Sequence, residues 1–218
     1  MLITFVALVL GLLITSAKAS FDKVGNDVRG FSVTIIRLDQ MLREWGGEAE
    51  SARLLLRRYT ASAIATTWRD EPKPPGHDYL ANLPGAPLSE SPALGDLLSQ
   101  IERDIRALNP PDSMHQRLAA DCLAQLQHVM QIRWQLIEEG SSSIPTPFYV
   151  ILVFWLVLVF ASFGLTAPRN ALSYTAIALG ALAIASAVYV ILDLETPYGG
   201  IIAVSSQPLR DALAHLNR

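Results

Sequence analysis

The sequence predicts an all-α membrane protein with three transmembrane helices and a small helical-bundle domain outside the bilayer. Two runs without a charged residue, Phe148–Leu165 and Ala171–Leu192, are the main evidence. A helix needs about 20 apolar residues to cross the hydrocarbon core, so each run has the length of one span. Residues 166–170 between them leave room only for a tight turn. We therefore assign residues 144–193 to a transmembrane helical hairpin.

The chain begins with a third apolar run, Met1–Ile14, which we assign to a transmembrane helix over residues 1–19. A cleaved secretory signal is the alternative, since Ala17-Lys18-Ala19 fits the small-x-small cleavage pattern. However, no basic residue precedes the run, and a signal sequence normally has one there. An amphipathic pattern also continues directly from the run, which favours an uncleaved helix that extends beyond the membrane.

Residues 20–143 hold most of the charged side chains and are predicted to form a helical domain outside the membrane. The first helix of this domain has an apolar seam with spacings of three and four residues: Phe21, Val24, Val28, Phe31, Ile35, Leu38, Leu42 and Trp45. Glu48–Trp68 forms a second amphipathic stretch after Gly46-Gly47. The prolines between Asp70 and Pro92 then require a loop or an extended linker.

Two further amphipathic helices complete the predicted domain. The apolar face of the third consists of Leu94, Leu97, Leu98, Ile101, Ile105 and Leu108. Ser113 and Gln116 fit a capping box at the start of the fourth helix. The apolar side chains of that helix are Leu118, Cys122, Leu123, Leu126, Met130 and Ile137. Four such helices with mostly short connections predict a bundle.

Composition and motifs argue against several classes of function. A net charge of −3 and a pI near 5.8 leave no basic stripe for nucleic acid. The four histidines lack metal-ligand spacing, and the sequence has no phosphate-binding loop or nucleophile motif. Cys122, the single cysteine, is expected to be a small packed side chain. We therefore expect no enzyme, no cofactor and no metal.

The second helix of the hairpin has small residues four positions apart, as in Ala176/Gly180, Ala181/Ala185 and Ala183/Ala187. This spacing permits close helix packing, so we expect a homo-oligomer in the lipid bilayer with this helix near its axis. Arg169 is the single charge of the hairpin turn. Because basic residues stay in the cytoplasm, it places the turn inside and the helical domain outside an inner (plasma) membrane.

Residues 194–218 contain an unusual motif followed by a short amphipathic tail. Together with the end of the last span, the motif comprises Asp193, Glu195, Pro197, Tyr198, Gly200 and Ser205. Its order of an acidic residue, Pro-aromatic-x-Gly, alternating aliphatics and a serine resembles an uncharacterised bacterial membrane family with a bestrophin-like domain. Ala7–Asp22 resembles the helix that leads into the central domain of that family. Members commonly have one more membrane helix upstream, so the resemblance implies a shorter version or a start site placed too far downstream.

The resemblance also implies kinship to bestrophins, which are oligomeric anion channels with a cytoplasmic helical domain. Bestrophins place Pro-Phe-Gly and a run of acidic residues just beyond a membrane helix. Here Pro197-Tyr198-Gly199 matches the tripeptide, but the acidic run after it is missing. The departure argues against calcium coordination by this segment.

Two functions are therefore open. Pore-lining charges are missing, which favours a non-enzymatic scaffold or interaction protein of the cell envelope whose helical domain binds a protein partner. The alternative is an oligomeric bestrophin-like anion channel with the Pro-Tyr-Gly-Gly turn at its mouth. For the motif itself, the plainer interpretation is a cap and turn that docks the C-terminus onto the domain.

Overall fold

The computed structural model describes residues 2–75, 92–141, 146–168 and 170–218, and these residues form helices without a strand. The helices are α1 (Leu2–Trp45), α2 (Glu50–Thr67), α3 (Pro92–Ala107), α4 (Ser113–Ser141), α5 (Thr146–Thr166), α6 (Ala171–Leu194) and α7 (Gln207–Leu216). A short 3₁₀ turn, Gly47–Ala49, precedes α2. The predicted all-α class is confirmed. Arg169 and His77 lie outside the described residues, as does most of the predicted proline-rich linker.

The chain divides into two compact units. The first unit comprises Met1–Lys23 and Ser142–Ala203, and therefore the apolar start of α1 together with α5 and α6. The second unit comprises Val24–Ser141 and Val204–Arg218, and therefore the rest of α1 together with α2, α3, α4 and α7.

The core of the second unit is built on the predicted apolar faces. The seam of α1 from Val24 to Trp45 is buried, and so is the face of α3 from Leu94 to Ile105. The rings of Phe31 and Tyr59 meet edge to face with centroids 6.4 Å apart, which joins α1 to α2. Each such large side chain contributes about 1.5–3 kcal/mol when fully buried. The heptad pattern therefore predicted these faces correctly.

The start of α4 differs from the prediction by one residue. The Asp112 carboxylate accepts a hydrogen bond from the His115 backbone N–H at 2.8 Å, and the Asp112 backbone carbonyl accepts one from the Gln116 N–H at 3.0 Å. Asp112 is thus the N-cap, and the expected capping box of Ser113 and Gln116 is wrong. Aspartate caps a helix at least as well as serine, and here it stands where the chain enters the first turn. The His115 backbone hydrogen bond is the main cause that lowers the pKa of Asp112.

The first unit has a small apolar core and a largely exposed apolar surface. The buried side chains of this apolar core are Leu10, Ala17, Leu152, Val159, Ile191 and Leu194. Asn170 caps α6, because its side-chain oxygen accepts the Ser173 N–H at 2.8 Å. Within the described residues, α6 alone is long and apolar enough to cross a membrane, and Val150–Thr166 is a shorter apolar helix. The count of three spans stays a prediction.

Candidate functional site

The predicted motif is organised around the carboxylate of Asp193 at the end of α6. Asp193 is buried, and its Oδ1 accepts the Ile201 N–H at 3.0 Å while its Oδ2 accepts the Ile202 N–H at 2.8 Å. The Thr196 hydroxyl donates to the Asp193 carbonyl at 3.0 Å. The side chain therefore folds the following residues back over the end of the helix and fixes two backbone N–H groups. Hydrogen bonds to a charged acceptor are the stronger kind in proteins.

Gly200 makes this return possible. Its φ is +86°, in the region that favours glycine, and a Cβ at this position would lie 2.3 Å from Asp193 Oδ1. A side chain would have to displace the carboxylate that holds Ile201 and Ile202. The motif therefore needs glycine here for both its backbone angle and its close approach.

The other motif residues occupy different surroundings. Pro197 is buried, whereas Glu195 and Tyr198 are half-buried. Ser205 belongs to the second unit, where its exposed hydroxyl oxygen accepts the Gln207 N–H at 3.2 Å ahead of α7. The structure thus brings Asp193 and Gly200 together and leaves Ser205 in separate surroundings. A functional role of the six residues stays a prediction, while their local geometry is that of a cap and a turn.

A second set of contacts, which the sequence did not suggest, fixes the C-terminal segment within the second unit. The buried Trp68 indole N–H donates to the Val204 carbonyl at 2.6 Å. Glu71 accepts hydrogen bonds from the Ser206 hydroxyl and from Arg210, whose Nη2 lies 3.0 Å from Glu71 Oε2. We call these five residues the C-terminal clasp. It joins the end of α2 to the start of α7.

The second unit also contains an ion-pair network around a buried carboxylate. Asp39 on α1 is 2% exposed and lies 2.8 Å from Arg43 Nε and 3.0 Å from Arg53 Nε. Arg43 also donates to the carbonyl of His215 at 2.7 Å, so the network connects α1 with α2 and α7. A buried charge needs such partners, because an unpaired one would cost several kcal/mol. The network is therefore part of the framework of the helical unit.

The contacts at these sites hold backbone and side-chain groups in place. Both oxygens of Asp193 are used by backbone N–H groups, and the described residues contain no group of three or more metal-ligating side chains. Cys122 is buried as predicted, and burial is the main cause that raises its pKa to about 11. The thiol is therefore protonated and unreactive at neutral pH.

Comparison with known proteins identifies the fold. The family model described as Bestrophin-like domain matches residues 3–209. A crystal structure of a bacterial bestrophin homologue from Klebsiella pneumoniae, with one substitution, is 16% identical and has a TM-score of 0.68 over 98% of this chain and 84% of that one. A second variant of that homologue is 17% identical, with a TM-score of 0.66 over 99% and 82%. A crystal structure described as a membrane protein reaches 0.71 at 16% identity over 99% and 83%.

No curated protein matches this chain. The TM-scores to these solved structures establish a shared fold, but identities of 16–17% establish nothing about individual residues. The family match over most of the chain agrees with the family resemblance that was inferred from the motif and from Ala7–Asp22 in α1.

Proposed function

This chain belongs to the Bestrophin-like family, and from that membership we propose that it is the subunit of an oligomeric anion channel in a lipid bilayer. The family match over residues 3–209 carries the proposal, since the characterised members of the family are anion channels. The shared fold covers at least 98% of the chain in the two bestrophin homologue structures. A channel is therefore favoured over the scaffold that the sequence first suggested.

The scaffold interpretation depended on the missing charges in the apolar helices. That observation carries little weight, because backbone groups and hydrophobic constrictions also select ions and gate pores. We propose no enzymatic activity, since the described residues show positioning contacts and no catalytic constellation. A protein partner of the helical unit is not needed for a channel.

Exposed apolar surface supports assembly within a membrane. Large apolar side chains of the first unit are exposed on all three of its helices, among them Leu8, Leu12, Phe154, Leu179 and Leu182. Soluble surfaces rarely keep such continuous apolar area exposed. Lipid chains and neighbouring copies would cover it, and the small residues of α6 would let helices approach closely. This surface fits a homo-oligomer embedded in the bilayer.

We infer the side of the membrane on which the helical unit lies from the basic residues that flank the spans, rather than from Arg169 alone. Those that flank the spans on the side of the helical unit are Lys18, Lys23, Arg29, Arg133 and Arg210. The hairpin turn has only Arg169. Since the excess of basic residues marks the cytoplasmic side, we propose a cytoplasmic helical unit at an inner membrane. This departs from the expectation that Arg169 gave and agrees with the architecture that the bestrophin resemblance implies.

An ion-flux measurement tests the proposed function. The full chain is reconstituted into liposomes loaded with a halide-sensitive dye, and iodide entry is compared with potassium release from a parallel preparation. We expect iodide entry well above that of protein-free liposomes and little potassium release. If the reconstituted, folded oligomer admits no iodide, the channel proposal is wrong.

A labelling experiment tests the sidedness. Cys122 is replaced by serine and a single cysteine is placed at exposed Ser99 on α3. A membrane-impermeant maleimide should then label this cysteine only after the cells are lysed. Labelling in intact cells would instead place the helical unit outside, as Arg169 predicted.

A further inference from the structure

A groove lies between α1 and α4 in the second unit, and none of its lining residues belongs to the C-terminal clasp. The two helices run antiparallel there. Gln125 donates to the carbonyl of Thr34 at 3.2 Å, and further along, the rings of Trp45 and His115 meet edge to face at 5.2 Å. Position numbers thus rise on α1 as they fall on α4. This register decides which side chains face one another across the groove.

The groove has a volume of about 400 Å³, within the range of small-molecule sites. One face of α1 and one face of α4 line it with Arg37, Met41, Glu44, Ser113, Met114, Arg117, Leu118 and Asp121. Positions 37, 41 and 44 are spaced by four and three residues, so they share one helix face. Met41 and Leu118 are half-buried and form an apolar floor.

Four ionised side chains stand at the two ends of this floor. The antiparallel register puts Arg37 across from Asp121 at one end and Glu44 across from Arg117 at the other. Along the helix axes, Arg37 and Glu44 are about 10 Å apart on α1, and Arg117 and Asp121 are about 6 Å apart on α4. Within the described part of the chain, none of the four side chains makes a hydrogen bond or an ion pair. Each end thus offers one positive and one negative group to a ligand.

Free surface charges are common and by themselves indicate nothing. Here, however, an arginine stands opposite a carboxylate at each end of a concave site with an apolar floor. Ser113 adds a hydroxyl beside Arg117. A ligand that matches has a carboxylate and an ammonium group close together and an apolar extension.

We propose that this groove binds a free α-amino acid with an apolar side chain. The ligand carboxylate pairs with Arg117 and Ser113, its ammonium group pairs with Glu44, and its side chain lies over Met41 and Leu118 toward Asp121. The proposal goes beyond the channel function and does not depend on it. It gives the helical unit a ligand site of its own.

Titration calorimetry with L-leucine tests the proposal on the full chain in lipid nanodiscs. Two analogues each lack one charge: leucinamide has no carboxylate, and 4-methylpentanoate has no ammonium group. We expect L-leucine to bind, and each analogue to bind about tenfold more weakly or worse, because a charge-assisted contact is lost. No measurable L-leucine binding, or equal binding of all three compounds, would overturn the proposal.

Matched variants locate the site. Arg117→Gln and Glu44→Gln should each weaken L-leucine binding by about tenfold, since each removes one charged contact. Arg103→Gln and Glu48→Gln are the controls, because both side chains are exposed and lie outside the groove. Circular dichroism verifies that all four variants fold. Equal weakening by groove and control variants would contradict the assignment.

Two outcomes distinguish this proposal from a contact between subunits and from the proposed channel function. If L-leucine gives no heat but the groove variants shift the oligomer mass, the groove is a contact between subunits and the ligand proposal is wrong. If L-leucine binds as expected but the liposomes pass no iodide, the ligand site holds and only the channel function fails.

Discussion

Gly200 and Asp193 constrain each other closely. The positive φ of Gly200 and its approach to the Asp193 carboxylate are parts of one turn, in which that carboxylate binds the N–H groups of Ile201 and Ile202. The sequence predicted a tight turn after Pro197 because two glycines follow it. It did not predict the carboxylate as the turn's acceptor, since hydrogen bonds over eight and nine residues leave no periodic signal.

Gly200→Ala should destabilise this turn. A Cβ at position 200 meets the Asp193 carboxylate and forces a strained backbone angle, so we expect a cost of about 1–3 kcal/mol in the free energy of unfolding. Thermal unfolding of the purified chain in detergent measures it. Gly199→Ala is the matched control, since its φ is not positive and a Cβ there meets no atom within 4 Å. Equal melting temperatures of the two variants would contradict the role of Gly200.

Asp112 gives a pH-dependent test of the α4 cap. Its pKa is lowered from 3.8, chiefly by the His115 backbone hydrogen bond, so its folded value lies below the unfolded one. The stabilisation is therefore complete above about pH 4 and is lost as the pH falls through the folded pKa. We expect Asp112→Ala to melt at a lower temperature than the wild type at pH 7, with the difference shrinking toward pH 3. A difference that does not change with pH would show that the carboxylate charge is not the cap.

At the scale of helices, α1 was the most predictable element. Its apolar seam from Val24 to Trp45 keeps one period for several turns, and burial follows that period. The start of α4 was missed by one residue, because Asp112 and Ser113 are both good caps and the local sequence does not rank them. The C-terminal clasp was missed for a different reason. Trp68 and Val204 are separated by 136 positions, so only the folded unit brings them together.

The C-terminal clasp predicts how α7 detaches. Glu71→Gln removes the charge that Arg210 and Ser206 share, so α7 should open more often while α3 and α4 stay protected. Hydrogen exchange measured by mass spectrometry should show faster exchange in residues 207–216 of the variant. Asp211→Asn is the control, because Asp211 is exposed and its carboxylate accepts a hydrogen bond from Gln207 of the same helix. Unchanged exchange in α7 of the Glu71 variant would mean that apolar packing alone holds the helix.

At the scale of the whole molecule, the sequence predicted the fold class and the family, but it put first the function that the family match favours less. The preference for a scaffold depended on the absence of charged side chains from the apolar helices, although a pore need not be lined by charged side chains. The number of subunits and the lining of a pore depend on contacts between copies, and a single chain shows neither. The family match across residues 3–209 is the observation that favours the channel.

The most direct test of this account is the reversal potential of the purified oligomer in a planar lipid bilayer under a KCl gradient. A channel that passes anions drives the reversal potential toward the equilibrium potential of chloride. Arg103→Gln, which alters an exposed side chain of α3, serves as the control and should leave the potential unchanged. A reversal potential near the equilibrium potential of potassium, or a folded oligomer without current, would contradict the proposed anion channel.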